Sequence, residues 1–333
     1  MNAVSELVDF WYAVELSSML GISPVGVQLL GKRYVLYRDK QGNAHAMVDR
    51  CPHRGASLVK GWVEDNCIRC PYHGWAYNSD GRCTKIPADP SGTPIPARAR
   101  LRVLPTRERS GFIWIFPGEP DLADGQMIPE LPELNQAGWR SVEGEACWNN
   151  HFSRVVEAGL EFADPTSRHP QGHRYKPTSS VDASNIETGK NYIKADARIQ
   201  AHSRERRTNA FARRSQDHAI ATVTCFPPSV NKVAIVFNDN DRQQIYFASH
   251  IPVSETETLT KWIVTRNFSS NRWGDKRVIR QTCEQVELDK AVVEAQPLTR
   301  TWETAERDCL VAADQLVMAY RKRMQKTADS HGH

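Results

Sequence analysis

The chain has 333 residues, 40% of them hydrophobic and 25% charged, and carries a net charge of +4. That length allows about two domains, and the composition is that of an ordinary globular protein. So mild a charge makes no case for nucleic acid, and no run approaches the ~18–20 apolar residues of a membrane span, so neither is an expected partner.

Residues 9–117 read as short strands and turns. Residues 34–37 and 44–48 flank a turn at 39–42, and the second run leads into Cys51-Pro52-His53-Arg54-Gly55. A second string, Cys70-Pro71-Tyr72-His73-Gly74-Trp75, precedes a hairpin signal at residues 77–81. Residues 111–116 close this all-β unit, and the Pro-rich stretch at 117–120 marks a boundary. The expected domains are therefore 1–118 and 119–333. Beyond the boundary, residues 150–163 place Phe152, Val155, Val156, Leu160 and Ala163 at helical spacing. Strands are expected at 192–200, 219–225, 232–237, 244–250 and 259–267, and helices at 275–294 and 303–326. Consecutive strands followed by helices predict an α+β domain around an antiparallel sheet. The basic segment 204–214 reads as a solvated loop, and the tail from Ser330 as disordered. Eight scattered cysteines and no signal peptide point to a reducing compartment, the cytoplasm.

Cys51, His53, Cys70 and His73 offer two thiolates and two imidazoles, the donor set of a [2Fe–2S] cluster with one iron on sulfur and one on nitrogen. Neutral imidazoles leave such a cluster less negative, so its potential lies at roughly −150 to +300 mV, against about −400 mV for an all-Cys centre. Structural zinc competes for the same residues, and Cys67 with Cys70 has the spacing of a zinc knuckle. Against zinc, the spacing at 51 and 53 is tight for a finger, and Cys67 would leave one histidine surplus. The repeated Pro and Gly (Pro52 with Gly55, Pro71 with Gly74) fit two matching loops over one cluster. Cys67 then reads as a small buried residue.

These strings resemble the cluster motif of Rieske non-heme iron oxygenase α subunits, in particular the pheophorbide a oxygenase-like and natural-product tailoring subgroup. The flanks are similar too: residues 10–14, 86–88, the strand 111–116, and the terminal helix around 314–321. The resemblance implies a Rieske [2Fe–2S] domain followed by a helix-grip catalytic domain. It also implies a mononuclear Fe(II) held by two His and one carboxylate, with an acid bridging towards the cluster of a neighbouring subunit.

Aligned through Glu157, the bridging acid falls on Glu161, the first iron His on Asp164, and the second on His169. Asp164 thus stands where the family has His, and a second carboxylate lowers the charge of the site. His173, four residues after His169, is an alternative imidazole, and Asp289 matches the family's late carboxylate. Glu157, Glu161 and Asp164 share one face if the helix continues, a pattern that is also that of a solvated acidic face. His151, His202, His218 and His250 lack partner motifs and read as satisfied structural histidines.

The resemblance implies the oxygenase component of a monooxygenase, hydroxylating or demethylating a small organic substrate with O2. A ferredoxin or flavin reductase would supply electrons, and the assembly would be a homotrimer. The altered iron motif keeps a second reading open: an electron-transfer or accessory subunit with a degenerate mononuclear site.

Overall fold

A computed structural model of the chain describes residues 7–161, 175–177, 186–201, 217–237, 241–304 and 307–331. It divides into two units, Met1–Glu130 and Leu131–His333. In the first unit the strands are β1 (Tyr12–Leu16), β2 (Val25–Leu29), β3 (Lys32–Arg38), β4 (Ala44–Val48), β5 (Trp62–Glu64), β6 (Cys67–Arg69), β7 (Ala76–Tyr77), β8 (Cys83–Lys85), β9 (Val103–Leu104), β10 (Thr106–Arg109) and β11 (Phe112–Ile115). They form three sheets, in the orders β1-β11-β10, β2-β3-β4-β9 and β5-β6-β7-β8.

The predicted turn after β3 is built by Asp39, whose carboxylate accepts the Gln41 and Asn43 N–H groups at 3.0 and 2.8 Å. The predicted hairpin between β7 and β8 closes with the Asn78 side-chain oxygen accepting the Arg82 N–H at 2.9 Å. The Pro-rich stretch belongs to this first unit and carries α1 (Pro120–Ala123). The Trp11 indole donates to the Ala123 carbonyl at 3.0 Å, and the Gln126 amide to the Asp9 carbonyl at 2.6 Å. Those bonds carry the first unit past residue 118, to Glu130.

The second unit contains β12 (Arg140–Trp148), α2 (Phe152–Ala158), β13 (Tyr175–Pro177), β14 (Glu187–Thr188), β15 (Ile193–Ala201), β16 (Asp217–Phe226), β17 (Val230–Phe237), β18 (Arg242–Pro252), β19 (Thr258–Arg266), α3 (Arg272–Val293) and α4 (Gln315–His331). The sheet runs β12-β19-β18-β17-β16-β15-β13, with β14 paired to β15. One face carries Val142, Ala248, Trp262 and Val264 against Val278 of α3. Trp148 packs on the same side with Val155 of α2 and with Val286 and Val293 of α3. This is the α+β architecture expected from the sequence, although β12 was not anticipated.

Two helices depart from their predicted bounds. The first ends at Ala158, because the Gly159 and Leu160 N–H groups turn back to the Val156 and Glu157 carbonyls at 3.0 and 2.8 Å. The Asn231 amide also takes the Val156 carbonyl, at 2.9 Å. Glu161 therefore lies beyond the helix, so Glu157 and Glu161 do not share a helical face, and Asp164 lies outside the described residues. The last helix begins only at Gln315, after 3-10 turns at Thr301–Glu303 and Ala312–Asp314. Here side chains outcompete the helix: Thr304 bonds the Thr301 carbonyl at 3.0 Å, and Asp314 accepts the Val311 N–H at 2.8 Å. The tail expected to be disordered is helical through Ser330, whose hydroxyl donates to the Thr327 carbonyl at 2.8 Å. The basic segment 204–214 and His202 lie outside the described residues.

Candidate metal centre

The two cluster strings fold as copies of one loop. The Gly55 N–H donates to the Cys51 carbonyl at 2.8 Å, and the Gly74 N–H to the Cys70 carbonyl at 3.0 Å. The Cys51 N–H closes the first loop on Ala56, and the Cys70 N–H closes the second on Trp75, both at 2.9 Å. Each loop turns through a left-handed glycine, Gly55 at φ +77° and Gly74 at φ +69°, which a Cβ would strain. Buried Asp49 braces the first loop, accepting the Leu58 N–H at 2.6 Å and the Ser57 hydroxyl at 2.7 Å.

The loops bring the four predicted ligands together. Cys51 and Cys70 are each 1% exposed, and the two thiols are hydrogen-bond neighbours. Burial pushes the Cys70 thiol up, the Cys51 sulfur beside it adds to the rise, and the Tyr72 and His73 backbone N–H groups aimed at it pull the other way. Amides turned towards a sulfur are what a metal-bound thiolate needs. His53 and His73 are exposed, their ring centroids 4.6 Å apart. Trp75 stacks on His53 at 4.5 Å and 4°, and Tyr72 on His73 at 3.9 Å and 27°. The sulfur ligands thus face the core and the imidazoles face outward. This donor set fits a [2Fe–2S] cluster with its nitrogen-bound iron at the surface.

Cys67 plays no part in this arrangement. It is half-buried on β6, and its sulfur lies 3.6 Å from the Thr84 hydroxyl. The thiol neighbour of Cys70 is Cys51, which removes the zinc-knuckle pairing.

Of the predicted mononuclear set, Asp164, His169 and His173 lie outside the described residues. Glu161 is half-buried just past α2. Asp289 is half-buried on α3, in register with Val278, Val286 and Val293, so it faces the sheet. It accepts the Gln285 amide at 3.0 Å. Burial raises the Tyr246 phenol, and the charge of the Asp289 carboxylate adds to the rise. Among the described residues, no three His, Cys, Asp or Glu side chains are grouped so as to hold a single metal ion; the cluster residues meet as a Cys pair and a His pair, two ligands for each of two irons.

On the same sheet face, His250 is only half satisfied, contrary to its sequence reading. Its Nδ1 meets the Thr260 hydroxyl at 2.8 Å, whereas its buried Nε2 has no partner among the described residues. Asn231 pairs in register with Ala248, two residues from His250 on one face of the sheet, and its buried Oδ1 is likewise unpartnered. The lone His250 gave no signal in sequence; the strand register that sets it near Asn231 is long-range.

His151 is the structural residue expected. It caps α2, with Nδ1 2.8 Å from the Ser153 hydroxyl. Burial holds its imidazole at about 4, and holds that of His250 at about 3. The unfolded chain titrates these rings near 6.5 and so binds protons that the fold refuses. Their contribution to stability is fully present above pH ~6.5 and is lost as pH falls towards 4. We expect stability to decline between pH 7 and 5 by roughly 2 kcal/mol from His151 alone. His151→Asn keeps a capping oxygen and should flatten that decline in urea titrations at the two pH values; an unchanged slope would refute the assignment.

Comparison with known proteins meets this geometry. Residues 10–105 match the Rieske [2Fe-2S] domain, and residues 169–330 match the vanillate O-demethylase oxygenase C-terminal domain. A 4beta-methylsterol monooxygenase of Methylococcus capsulatus is 38% identical over 172 residues, 50% of this chain and 45% of that protein. The chain thus matches less than half the length of that relative. The oxygenase component of dicamba O-demethylase from Stenotrophomonas maltophilia is 26% identical over 95% of this chain and 96% of its own. The fold is shared with a caffeine-bound mutant of NdmA from Pseudomonas putida CBB5, at a TM-score of 0.84 and 24% identity over 99% of this chain and 93% of that one. With a Rieske cluster loop pair in one unit and an oxygenase C-terminal domain in the other, the chain belongs to the Rieske oxygenase α subunits.

Proposed function

We propose that this chain is the oxygenase component of a Rieske-type monooxygenase that hydroxylates or demethylates a small organic substrate. The paired loops gathering Cys51, His53, Cys70 and His73 carry this reading, joined to the oxygenase match over 169–330. Electrons from a ferredoxin or flavin reductase enter at the exposed His53 and His73 edge. Asp164, His169 and Asp289 would hold a ferrous iron, with His173 the alternative imidazole and Glu161 in the place of the bridging acid. Such an iron, when bound, supplies dioxygen activation. A homotrimer would set the Glu161 segment of one subunit beside the cluster of the next. Exposed thiols at Cys147, Cys283 and Cys309 suit a reducing cytoplasm.

The residues around Asp289 support a substrate role for the sheet face. His250 Nε2 and Asn231 Oδ1 offer the substrate two buried polar contacts, one on each of two neighbouring strands, while Tyr246 and Trp262 keep water out. Fixed polar groups in an apolar surround orient a substrate because leaving them unpaired is costly.

One observation favours a second reading: Asp164 replaces the first iron histidine, as in an electron-transfer or accessory subunit with a repurposed site. Counting metal separates the two. An oxygenase reconstituted with ferrous iron and sulfide should hold about three iron atoms and two sulfides per chain. A chain that stays at two irons after ferrous loading is the accessory subunit. If Asp164→His changes neither metal content nor turnover, the alignment through Glu157 is wrong.

A further inference from the structure

The outward face of α3 carries a charge order that the helix alone does not account for. Val278, Val286 and Val293 are buried on its sheet side. On the opposite side Trp273, Lys276, Arg280, Glu284, Glu287 and Ala291 recur at three- and four-residue spacing, all of them exposed, Trp273 at 82%. The cations Arg272, Lys276 and Arg280 occupy the first half of the helix, and the acids Glu284 and Glu287 the second. Arg272 and Lys276 stand towards the N-terminus, where the macrodipole disfavours positive charge. Arg280 meets Glu284 at 3.8 Å with the cation ahead of the acid, the weaker order for a helical pair. Lys276 and Glu287 enter no ion pair among the described residues, and the Lys276 Nζ lies 5.8 Å from the Trp273 ring.

We propose that this face is a two-fold interface, on which α3 of a second copy of the chain packs antiparallel. A helix face that is basic in one half and acidic in the other is its own complement when reversed, which is what an isologous contact requires. The centre of the contact falls between Cys283 and Glu284, so position 280 meets 287 and position 276 meets 291. Arg280 of each copy then reaches Glu287 of the other, twice per interface, and the Lys276 stem lies over Ala291. The same reversal sets Trp273 against the Ala291 end and covers the exposed ring. The opposed dipoles of two antiparallel helices add to the attraction. One helix pair is a small interface, so the association is weak and depends on concentration.

The proposal concerns the surface of α3 and goes beyond the oxygenase reading; a chain that failed to activate dioxygen would leave it standing. Its test measures mass by light scattering and sedimentation over a concentration series, on the full chain loaded with its cluster. The wild-type chain should reach twice the mass of the Arg280→Glu chain, whatever the size of the smaller assembly, and Glu287→Arg should match the smaller one. Each reversal sets two like-charge pairs face to face and should weaken association at least about a hundredfold. Arg280→Glu combined with Glu287→Arg exchanges the charges and should restore the doubled mass. Both positions are exposed, so the fold tolerates these changes. Packed helix axes lie about 8–10 Å apart, so a short bismaleimide should join the exposed Cys283 thiols of two copies, and Cys283→Ser should abolish that product. A wild-type mass equal to that of the single variants, or a double variant that stays at the lower mass, overturns the proposal. So does a Cys283 cross-link to a different protein in cell extract without the Cys283–Cys283 product, which would give the face another occupant.

Discussion

The Cys70→Ser chain should purify colourless, without acid-labile sulfide, and with iron below about a tenth of the wild-type content. Replacing an outer-shell partner already costs a metal site 10–100-fold in affinity, and Cys70 is itself a ligand. The thiol is 1% exposed, sits beside Cys51, and has two backbone N–H groups aimed at it. A serine hydroxyl there is a poor iron ligand and cannot bring the negative charge those amides are placed to meet. Cys67→Ser is the informative control, because its sulfur contacts the Thr84 hydroxyl on the neighbouring hairpin. That variant should keep both colour and sulfide. Were Cys67→Ser to lose metal as completely as Cys70→Ser, and were the metal zinc, the knuckle pairing would stand and the redox reading would fall.

The cluster loops were legible in the sequence because everything that shapes them is local. Each loop's ligands lie within four residues, and Gly55 and Gly74 mark the turn by identity alone. The repeated order of Cys, Pro, His and Gly predicts the repeated hydrogen bonds that the structure shows. Strands β15 to β19 were legible for a similar reason, since alternation along a strand is a short-range pattern. The strand β12 was not. Its sheet-facing positions are Val142, Gly144, Ala146 and Trp148, and two of those four are too small to give an apolar signal. Gly144 is required there because a Cβ would stand 2.2 Å from the Trp262 ring, a neighbour 118 positions further along the chain. Helix ends were misjudged where a side chain far away in sequence, such as Asn231 at the Val156 carbonyl, finishes the helix. The same long-range character hid the unpartnered atoms of His250 and Asn231, whose meaning depends on strand register.

Arg321→Met should destabilise the second unit by roughly 3–5 kcal/mol, the range for removing one member of a buried ion pair. Arg321 is 6% exposed and grips Glu157 with two bonds of 2.8 Å, from Nε and Nη2. Its third nitrogen lies 2.9 Å from Asp308, which also receives Arg154 at 3.3 Å and the Thr304 hydroxyl at 2.9 Å. Glu157 is 5% exposed, so losing its partner strands a carboxylate away from water. For a domain of this size the melting midpoint should drop by about 10 °C. The sequence identified the helix around Arg321 but not its role, since Glu157 is 164 positions away. The pair clamps the last turn of α2, from which the chain leads directly to Glu161. A double variant, Arg321→Met with Glu157→Leu, should recover most of the lost stability, because an apolar pair of similar volume carries no uncompensated charge. Full coupling in that cycle identifies the ion pair as the cause; additive losses would mean that Arg321 acts through its packing against α2 and Asp308 instead.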